Sequence, residues 1–119
     1  MRRSSGFLGL VLAAALFAAC EDDTSLAPLG SVSAAGVTFS PDLVTLTATV
    51  HVVTWGFLAN GPHSVTFEDG APGSGGRVSG AWSRDFTGAT PGTYRYRCDY
   101  HTVGGSYTTG MVGSVIVPP

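Results

Sequence analysis

The sequence contains no lysine, and all six of its basic residues are arginines. Charged residues make up only 12% of its 119 residues, and the formal net charge is −2. A protein that binds nucleic acid needs a cluster or stripe of basic residues on its surface, and this sequence has none. The composition therefore gives no support to nucleic-acid binding and favours one small, weakly charged domain.

The only long apolar run lies at the N-terminus, where Arg2 and Arg3 precede the apolar residues 7–19. This run is too short to span a membrane comfortably, so residues 1–19 are predicted to be a signal peptide. It ends in LFAAC, which resembles a bacterial lipobox with Cys20 as the lipidated residue. Phe17 departs from the Leu, Val or Ile usual at that position, so an ordinary secretory signal cut nearby is the alternative. Both readings predict export, and we expect a lipid-anchored protein of the periplasm or cell envelope.

Cleavage before Cys20 would leave four arginines and eight acidic residues, a net charge of −4. Residues 20–30 are acidic and then contain Pro and Gly, which predicts a flexible tether to a domain at 31–119. Cysteine is also scarce, because Cys98 is the only other one. If Cys20 carries the lipid, Cys98 has no disulfide partner. An unpaired thiol is a liability in an oxidising compartment unless a metal occupies it.

After residue 30 no helical periodicity is visible, and short β-prone segments alternate with turns among the 17 Gly and 7 Pro. This pattern predicts an all-β fold, a Greek-key sandwich or barrel of seven to eight strands. A Gly-rich excursion at 69–80 interrupts the series, and a loop is expected at 56–62. The predicted strands are 31–34 as a first edge, 37–39 as its continuation, 43–47, 50–55, 64–67, 81–86, 93–98 and 113–117.

The segment 93–98 carries the clearest alternation in the chain. Tyr94, Tyr96 and Cys98 share one face of the strand, while Arg95 and Arg97 share the other. Because two arginine side chains are expected to face water, the sulfur of Cys98 is predicted to face the core.

Four residues around this strand are candidate metal ligands. Cys98, His101 and Met111 offer a thiolate, an imidazole and a thioether, and His63 stands alone upstream in GPHSVTF. Soft and borderline donors of this kind suit copper that cycles between Cu(I) and Cu(II).

Simpler explanations exist for each residue taken singly. A lone buried Met is usually part of the core, and a lone His is usually a satisfied polar residue. His51, in the middle of a strand, is interpreted as a surface or edge residue. Glu68 and Asp69 are adjacent on a strand and point to opposite faces, which argues against a paired-carboxylate catalyst. The core aromatics are predicted to be Trp55, Trp82, Phe86, Tyr94 and Tyr96.

Two other metal centres fit the sequence less well. Zinc also binds Cys and His, but the Met and the single Cys count against a structural zinc site. A binuclear copper centre would need a second Cys in the same loop, and the sequence has none there.

The motifs FSP, VTW, HSVTF, PGTYRYRCDYH and GMVGSVIV resemble the cupredoxins, specifically the plastocyanin-like small blue copper proteins, over residues 37–117. This resemblance implies one copper ion held by His63, Cys98 and His101, with Met111 as a weak axial ligand.

Further features follow from the same resemblance. In many cupredoxins the positions of Ser64 and Asp99 link the two ligand loops, so a hydrogen bond between these side chains is predicted. The sequence departs from the plastocyanin pattern in two places. Residues 102–110 form a longer loop between His101 and the Met than plastocyanins have. Arg97 stands where plant plastocyanins carry a docking tyrosine.

The function that the resemblance implies is the transfer of single electrons between redox proteins, such as a cytochrome or a membrane redox complex. The chain is expected to be a monomer and not an enzyme. The alternatives are a copper storage or delivery protein, and a non-redox binding module that keeps the fold.

Overall fold

The computed structural model describes residues 29–58 and 61–119. The predicted signal peptide at 1–19, the predicted lipidation site Cys20 and most of the predicted tether therefore lie outside the described residues. The described part contains no helix with the length and apolar character needed to cross a membrane. Its strands are β1 (Ser31–Ala35), β2 (Thr38–Ser40), β3 (Leu43–Thr45), β4 (Val52–Phe57), β5 (Thr66–Phe67), β6 (Ala81–Asp85), β7 (Gly92–Arg97) and β8 (Val112–Val117).

The eight strands form two four-stranded sheets with the orders β2-β1-β4-β6 and β3-β8-β7-β5. Five of the seven connections between consecutive strands pass from one sheet to the other. The predicted all-β sandwich is therefore confirmed. Because the two sheets enclose one core, loops from distant parts of the sequence meet at the same end.

The sequence between β3 and β4 has none of the Gly, Asn or Asp residues that a tight hairpin favours, and the structure has no hairpin there. The two strands belong to different sheets, where β3 pairs in parallel with β8 and β4 pairs in parallel with β1. The hydroxyl of Thr47 accepts the N–H groups of Thr49 and Val50 at 3.3 and 3.1 Å. A side-chain turn of this kind needs neither Gly nor Asn.

Several predicted strands need correction. Strand β1 is not an edge, because it lies between β2 and β4. Residues 37–39 do not continue it: the chain reverses at Gly36, whose φ is +57°, and Ala34 pairs with Phe39 in an antiparallel hairpin. Strand β4 runs to Phe57, two residues into the expected loop. The strands expected at 43–47 and 64–67 are shorter, since pairing covers only β3 and β5.

The core between the sheets is rich in aromatic side chains. The rings of Trp55 and Tyr96 are fully buried, with centroids 5.2 Å apart in an edge-to-face arrangement. Burial raises the pKa of Tyr96 to about 12, so this phenol is neutral at physiological pH. Phe86 is buried as predicted, whereas Trp82 and Tyr94 are only partly buried at the margin of the core. Full burial of a side chain such as Phe86 contributes roughly 1.5–3 kcal/mol.

Strand β7 follows its predicted alternation. Tyr96 and Cys98 are fully buried, while Arg95 and Arg97 lie on the opposite face. The strand pairs antiparallel with β8 on one side and with β5 on the other, where Thr66 faces Arg97. The pairing with β5 brings the segment before Thr66 next to the segment after Arg97, although more than 30 residues separate them in sequence.

Candidate metal centre

Three predicted ligand side chains converge at one end of the sandwich. His63 precedes β5, Cys98 directly follows β7, and His101 lies three residues further on. One donor atom from each residue lies within 4.8 Å of the others. The Cys98 sulfur is 3.4 Å from Nδ1 of His101, and the two imidazole centroids are 5.1 Å apart. The three residues form a group that could hold one metal ion.

The main chain of His63 is fixed by the Gly-rich segment 69–80. The N–H of His63 donates to the Arg77 carbonyl at 2.9 Å, and its own carbonyl accepts from the Arg77 N–H at 2.8 Å. Two residues on, the N–H of Val65 donates to the Ser74 hydroxyl at 2.8 Å, and the Val65 carbonyl accepts from the Ser74 N–H at 3.0 Å. Residues 69–80 therefore hold in place the main chain of the segment that carries His63.

The contacts of Ser74 with Val65 and of Arg77 with His63 were not predicted from the sequence. The signal that could have found them is the glycine content of the segment. A Cβ on Gly73 would overlap the carbonyl oxygen of Val65, so only glycine allows this close approach. A run of glycines beside a predicted ligand strand can thus indicate backbone contact with that strand.

The imidazole of His63 is the most informative group in the site. The residue is fully buried, and neither ring nitrogen has a hydrogen-bond partner among the residues that the structure describes. Burial lowers the pKa of His63, and the neighbouring His101 lowers it further, so the ring is neutral at pH 7. An unsatisfied buried polar group costs about 1–3 kcal/mol. A metal ion bound to one nitrogen would remove that cost for the nitrogen it binds, and metal binding requires the neutral imidazole.

Cys98 supplies a buried sulfur at the end of a rigid strand. It is fully buried and forms no disulfide within the described part of the chain. Its N–H donates to the Met111 carbonyl at 3.0 Å, which continues the pairing of β7 with β8 by one residue. The N–H of His101 donates back to the Cys98 carbonyl at 3.2 Å. One sulfur and two imidazoles make a donor set that suits copper.

The main chain of Met111 is hydrogen-bonded to two residues of this group, Cys98 and His101. The residue is 1% exposed, and its N–H donates to the His101 carbonyl at 3.2 Å. Gly110, which has a φ of +94°, makes the approach possible, because a Cβ there would lie 2.8 Å from the same carbonyl oxygen. The chain thus brings Met111 against both Cys98 and His101, while its role as an axial ligand stays a prediction.

The predicted hydrogen bond between Ser64 and Asp99 is present. The Ser64 hydroxyl donates to Oδ2 of Asp99 at 3.2 Å and accepts from the Asp99 N–H at 2.8 Å. The same carboxylate oxygen accepts from the hydroxyl of Thr66 at 2.6 Å, a partner that the sequence did not reveal. Ser64 therefore ties together the two segments that carry His63 and Cys98.

Asp99 remains a charged carboxylate. Partial burial raises its pKa, but hydrogen bonds from Thr66, Arg97 and Ser64 outweigh that effect, so the pKa of Asp99 is lowered overall. These contacts keep its oxygens occupied, and Asp99 is not part of the group of candidate ligands. Its hydrogen bonds with Ser64 and Thr66 join the segment after His63 to the segment after Cys98.

The residues set aside by sequence reasoning lie away from the site. His51 is exposed, as expected for a surface residue. Glu68 forms an ion pair with Arg95 at 2.8 Å, whereas Asp69 pairs with Arg84 at 2.7 Å. The two adjacent carboxylates thus serve different arginines and do not form a catalytic pair.

No protein-family model matches the sequence, and no curated protein matches it. Several solved structures do match this chain in fold. An oxidised point mutant of amicyanin is 23% identical with a TM-score of 0.58, and the match covers 79% of this chain and 86% of that chain. Amicyanin from Paracoccus versutus is 23% identical with a TM-score of 0.56, covering 80% and 86%. Dithionite-reduced auracyanin from the photosynthetic bacterium Roseiflexus castenholzii is 20% identical with a TM-score of 0.54, covering 75% and 95%. At these identities the likeness shows a shared fold.

Proposed function

Because this chain has the cupredoxin fold, we propose that it binds one copper ion through His63, Cys98 and His101, with Met111 as the axial ligand. We propose further that it carries single electrons between redox partners outside the cytoplasm. Copper supplies the electron chemistry by alternating between Cu(I) and Cu(II).

One observation carries this proposal. The three donor atoms of His63, Cys98 and His101 meet within 4.8 Å at a largely buried position, where both nitrogens of His63 lack a partner within the described residues. A structural histidine in a core normally has a hydrogen-bond partner. A thiol and two imidazoles at one point are therefore better explained by a metal ion than by packing.

The protein's own contribution is rigidity. Main-chain hydrogen bonds fix His63 to Arg77 and Cys98 to Met111, and the Ser64 side chain joins the two segments. Ligands held in this way change position little when the charge at the site changes, which favours fast electron transfer. Four protein ligands would leave no position for a substrate, so we expect no bond chemistry and no enzymatic activity.

His101 is the candidate ligand closest to solvent. It is half-buried, whereas His63 and Cys98 are fully buried. We propose that electrons enter and leave through the His101 side of the site.

We also propose where the protein acts and with which partners. Export and lipid attachment at Cys20 would confine the protein to a membrane surface. Its partners would be redox proteins such as a cytochrome or a membrane redox complex, and it would act as a monomer. Since the domain carries little net charge, long-range electrostatic steering toward those partners would be weak.

Titration of the purified metal-free protein with Cu(II) tests the proposal. We expect an intense blue absorption that saturates at one equivalent of copper. The Cys98→Ser variant should lose this absorption, whereas His51→Ala should keep it. Tight binding of zinc without a blue copper form would favour the non-redox module. Rapid surrender of copper to a chelator, with slow electron exchange, would favour storage or delivery.

A further inference from the structure

The long loop at 102–110 folds back onto the outer face of the sheet. Its own turn is organised by the Ser106 hydroxyl, which accepts the N–H groups of Thr108 and Thr109 at 3.0 Å each. Gly104 and Gly105 have φ values of +65° and +72°, which allow the chain to reverse there. The added length therefore forms a compact structure against β7.

Arg97 holds the tip of this loop. It precedes Cys98 and lies on the outer face of β7, where its guanidinium donates to the Gly105 carbonyl. A Cβ on Gly105 would lie 2.7 Å from Nη1 of Arg97, so glycine permits the contact. The same guanidinium lies 4.6 Å from the ring centroid of Tyr107 and donates from Nε to Asp99 at 2.8 Å. Lysine would lack the planar group needed for these three contacts together.

Tyr107 fixes the loop at a second point. Its hydroxyl donates to the carbonyl of Phe67 at 3.3 Å. Phe67 belongs to β5, the edge strand beside β7. Arg97 and Tyr107 thus attach the loop to two neighbouring strands, and we refer to this pair as the loop clamp.

The ends of the loop are the candidate ligands themselves. His101 precedes residue 102 and Met111 follows residue 110, and their main chains are joined by one hydrogen bond of 3.2 Å. A nine-residue connection held only at its base would open locally at small cost. The contacts of the loop clamp oppose that opening.

We propose that Arg97 and Tyr107 are positioning residues that close the loop 102–110 and thereby hold His101 and Met111 at the metal site. The sequence departs from the plastocyanin pattern in the longer loop and in the arginine before the cysteine. These two features then act together, because the arginine holds the loop closed. The effect on metal binding rests on the proposed function, whereas the closure of the loop does not.

Hydrogen exchange of the metal-free protein tests the closure directly. In Arg97→Ala and Tyr107→Ala, amides of residues 102–110 should exchange about 10-fold faster, as expected for the loss of a charge-assisted contact. Tyr107→Phe keeps the ring against Arg97 and should show a smaller increase. Arg95→Ala is the matched control, because Arg95 lies on the same face of β7 and pairs with Glu68. Unchanged exchange in both alanine variants would overturn the proposal.

The copper-loaded protein tests the positioning. Release of copper to a chelator should be about 10-fold faster in Arg97→Ala and Tyr107→Ala than in Arg95→Ala. The copper spectrum and the reduction potential should also shift. Tyr107→Ala matters most here, because it leaves the ion pair of Arg97 with Asp99 in place. Faster loop exchange with unchanged release, spectrum and potential would overturn the positioning role. If the unaltered protein takes up no copper, the proposed function fails, while the exchange result still decides the loop clamp.

Discussion

The two segments that carry the candidate ligands are held in different ways. His63 is fully buried and is fixed by main-chain hydrogen bonds to the Gly-rich segment 69–80. His101 and Met111 stand at the two ends of a largely exposed loop that side chains attach to the sheet.

Because the two segments are held differently, we expect them to contribute differently to the proposed metal site. In the proposed metal site, the buried segment would provide one fixed ligand, the unsatisfied imidazole of His63, and Cys98 at the end of β7 would provide another. The loop segment would provide His101, the half-buried ligand that solvent reaches. Changes in the buried segment should therefore affect whether a metal binds, and changes in the loop should affect how firmly it is held.

The largest effect is expected from His63→Leu. Copper affinity should fall by more than the roughly 10- to 100-fold that loss of a supporting contact causes, because a ligand itself is removed. The metal-free protein should gain about 1 kcal/mol in free energy of unfolding, since leucine needs no hydrogen-bond partner. Copper titration and chemical denaturation measure the two changes. His51→Leu, at an exposed histidine, should change neither quantity, and unchanged copper affinity in His63→Leu would refute the assignment.

Ser64→Ala tests the link between the two segments. It removes both hydrogen bonds to Asp99 and should lower copper affinity roughly 10- to 100-fold, as expected for a group that orients ligands. The free energy of unfolding should fall by about 1–2 kcal/mol. Ser33→Ala, at an exposed position of β1, is the comparison variant. The idea that Ser64 joins the segments is wrong if both serine variants retain copper equally well in a competition assay.

Gly110→Ala sharpens the contrast on the side of the loop. A positive φ costs an ordinary residue about 1–2 kcal/mol, and here the new Cβ would also lie 2.8 Å from the His101 carbonyl. The variant should unfold more easily and release copper faster. Gly88, with a φ of +80° and no atom within 4 Å of an added Cβ, gives the matched variant Gly88→Ala. That variant should lose stability but keep normal copper release. Equal release rates would show that the contact at Gly110 does not matter.

The smallest effect is expected from the ion pair of Asp69 with Arg84, which lies outside the ligand group. The hydrogen bond from Arg84 holds the pKa of Asp69 below its usual value. A carboxylate with a lowered pKa stabilises the fold above its ordinary pKa of 3.8, and this contribution is lost as the pH falls through the lower folded value. The free energy of unfolding of Asp69→Asn should therefore depend less steeply on pH below about 4. An unchanged slope would show that the pair contributes nothing measurable.

The sequence predicted the parts of this protein that depend on local pattern. The alternation in β7 placed the Cys98 sulfur inward and Arg97 outward, because side chains of a strand alternate between its faces. The resemblance to the cupredoxins indicated that His63, Cys98 and His101 would meet, and their donor atoms lie within 4.8 Å of one another. The edge position assigned to β1 was wrong, because strand order depends on pairing with β4, which lies far along the chain.

The supports of the site were harder to predict. Arg77 pairs with His63 through main-chain atoms, so its side-chain type carries no signal for that contact. Thr66 reaches Asp99 only because β5 and β7 are neighbours in the sheet. Arg97 was placed on the correct face, but its contacts with Gly105 and Tyr107 depend on how the long loop folds. Long-range pairing decides each of these contacts.

A crystal structure of the copper-loaded protein tests the central claim most directly. We predict a single copper ion bound by the Cys98 sulfur and by one imidazole nitrogen each of His63 and His101. A copper ion bound elsewhere, or a His63 ring that stays buried without touching the metal, would contradict this account.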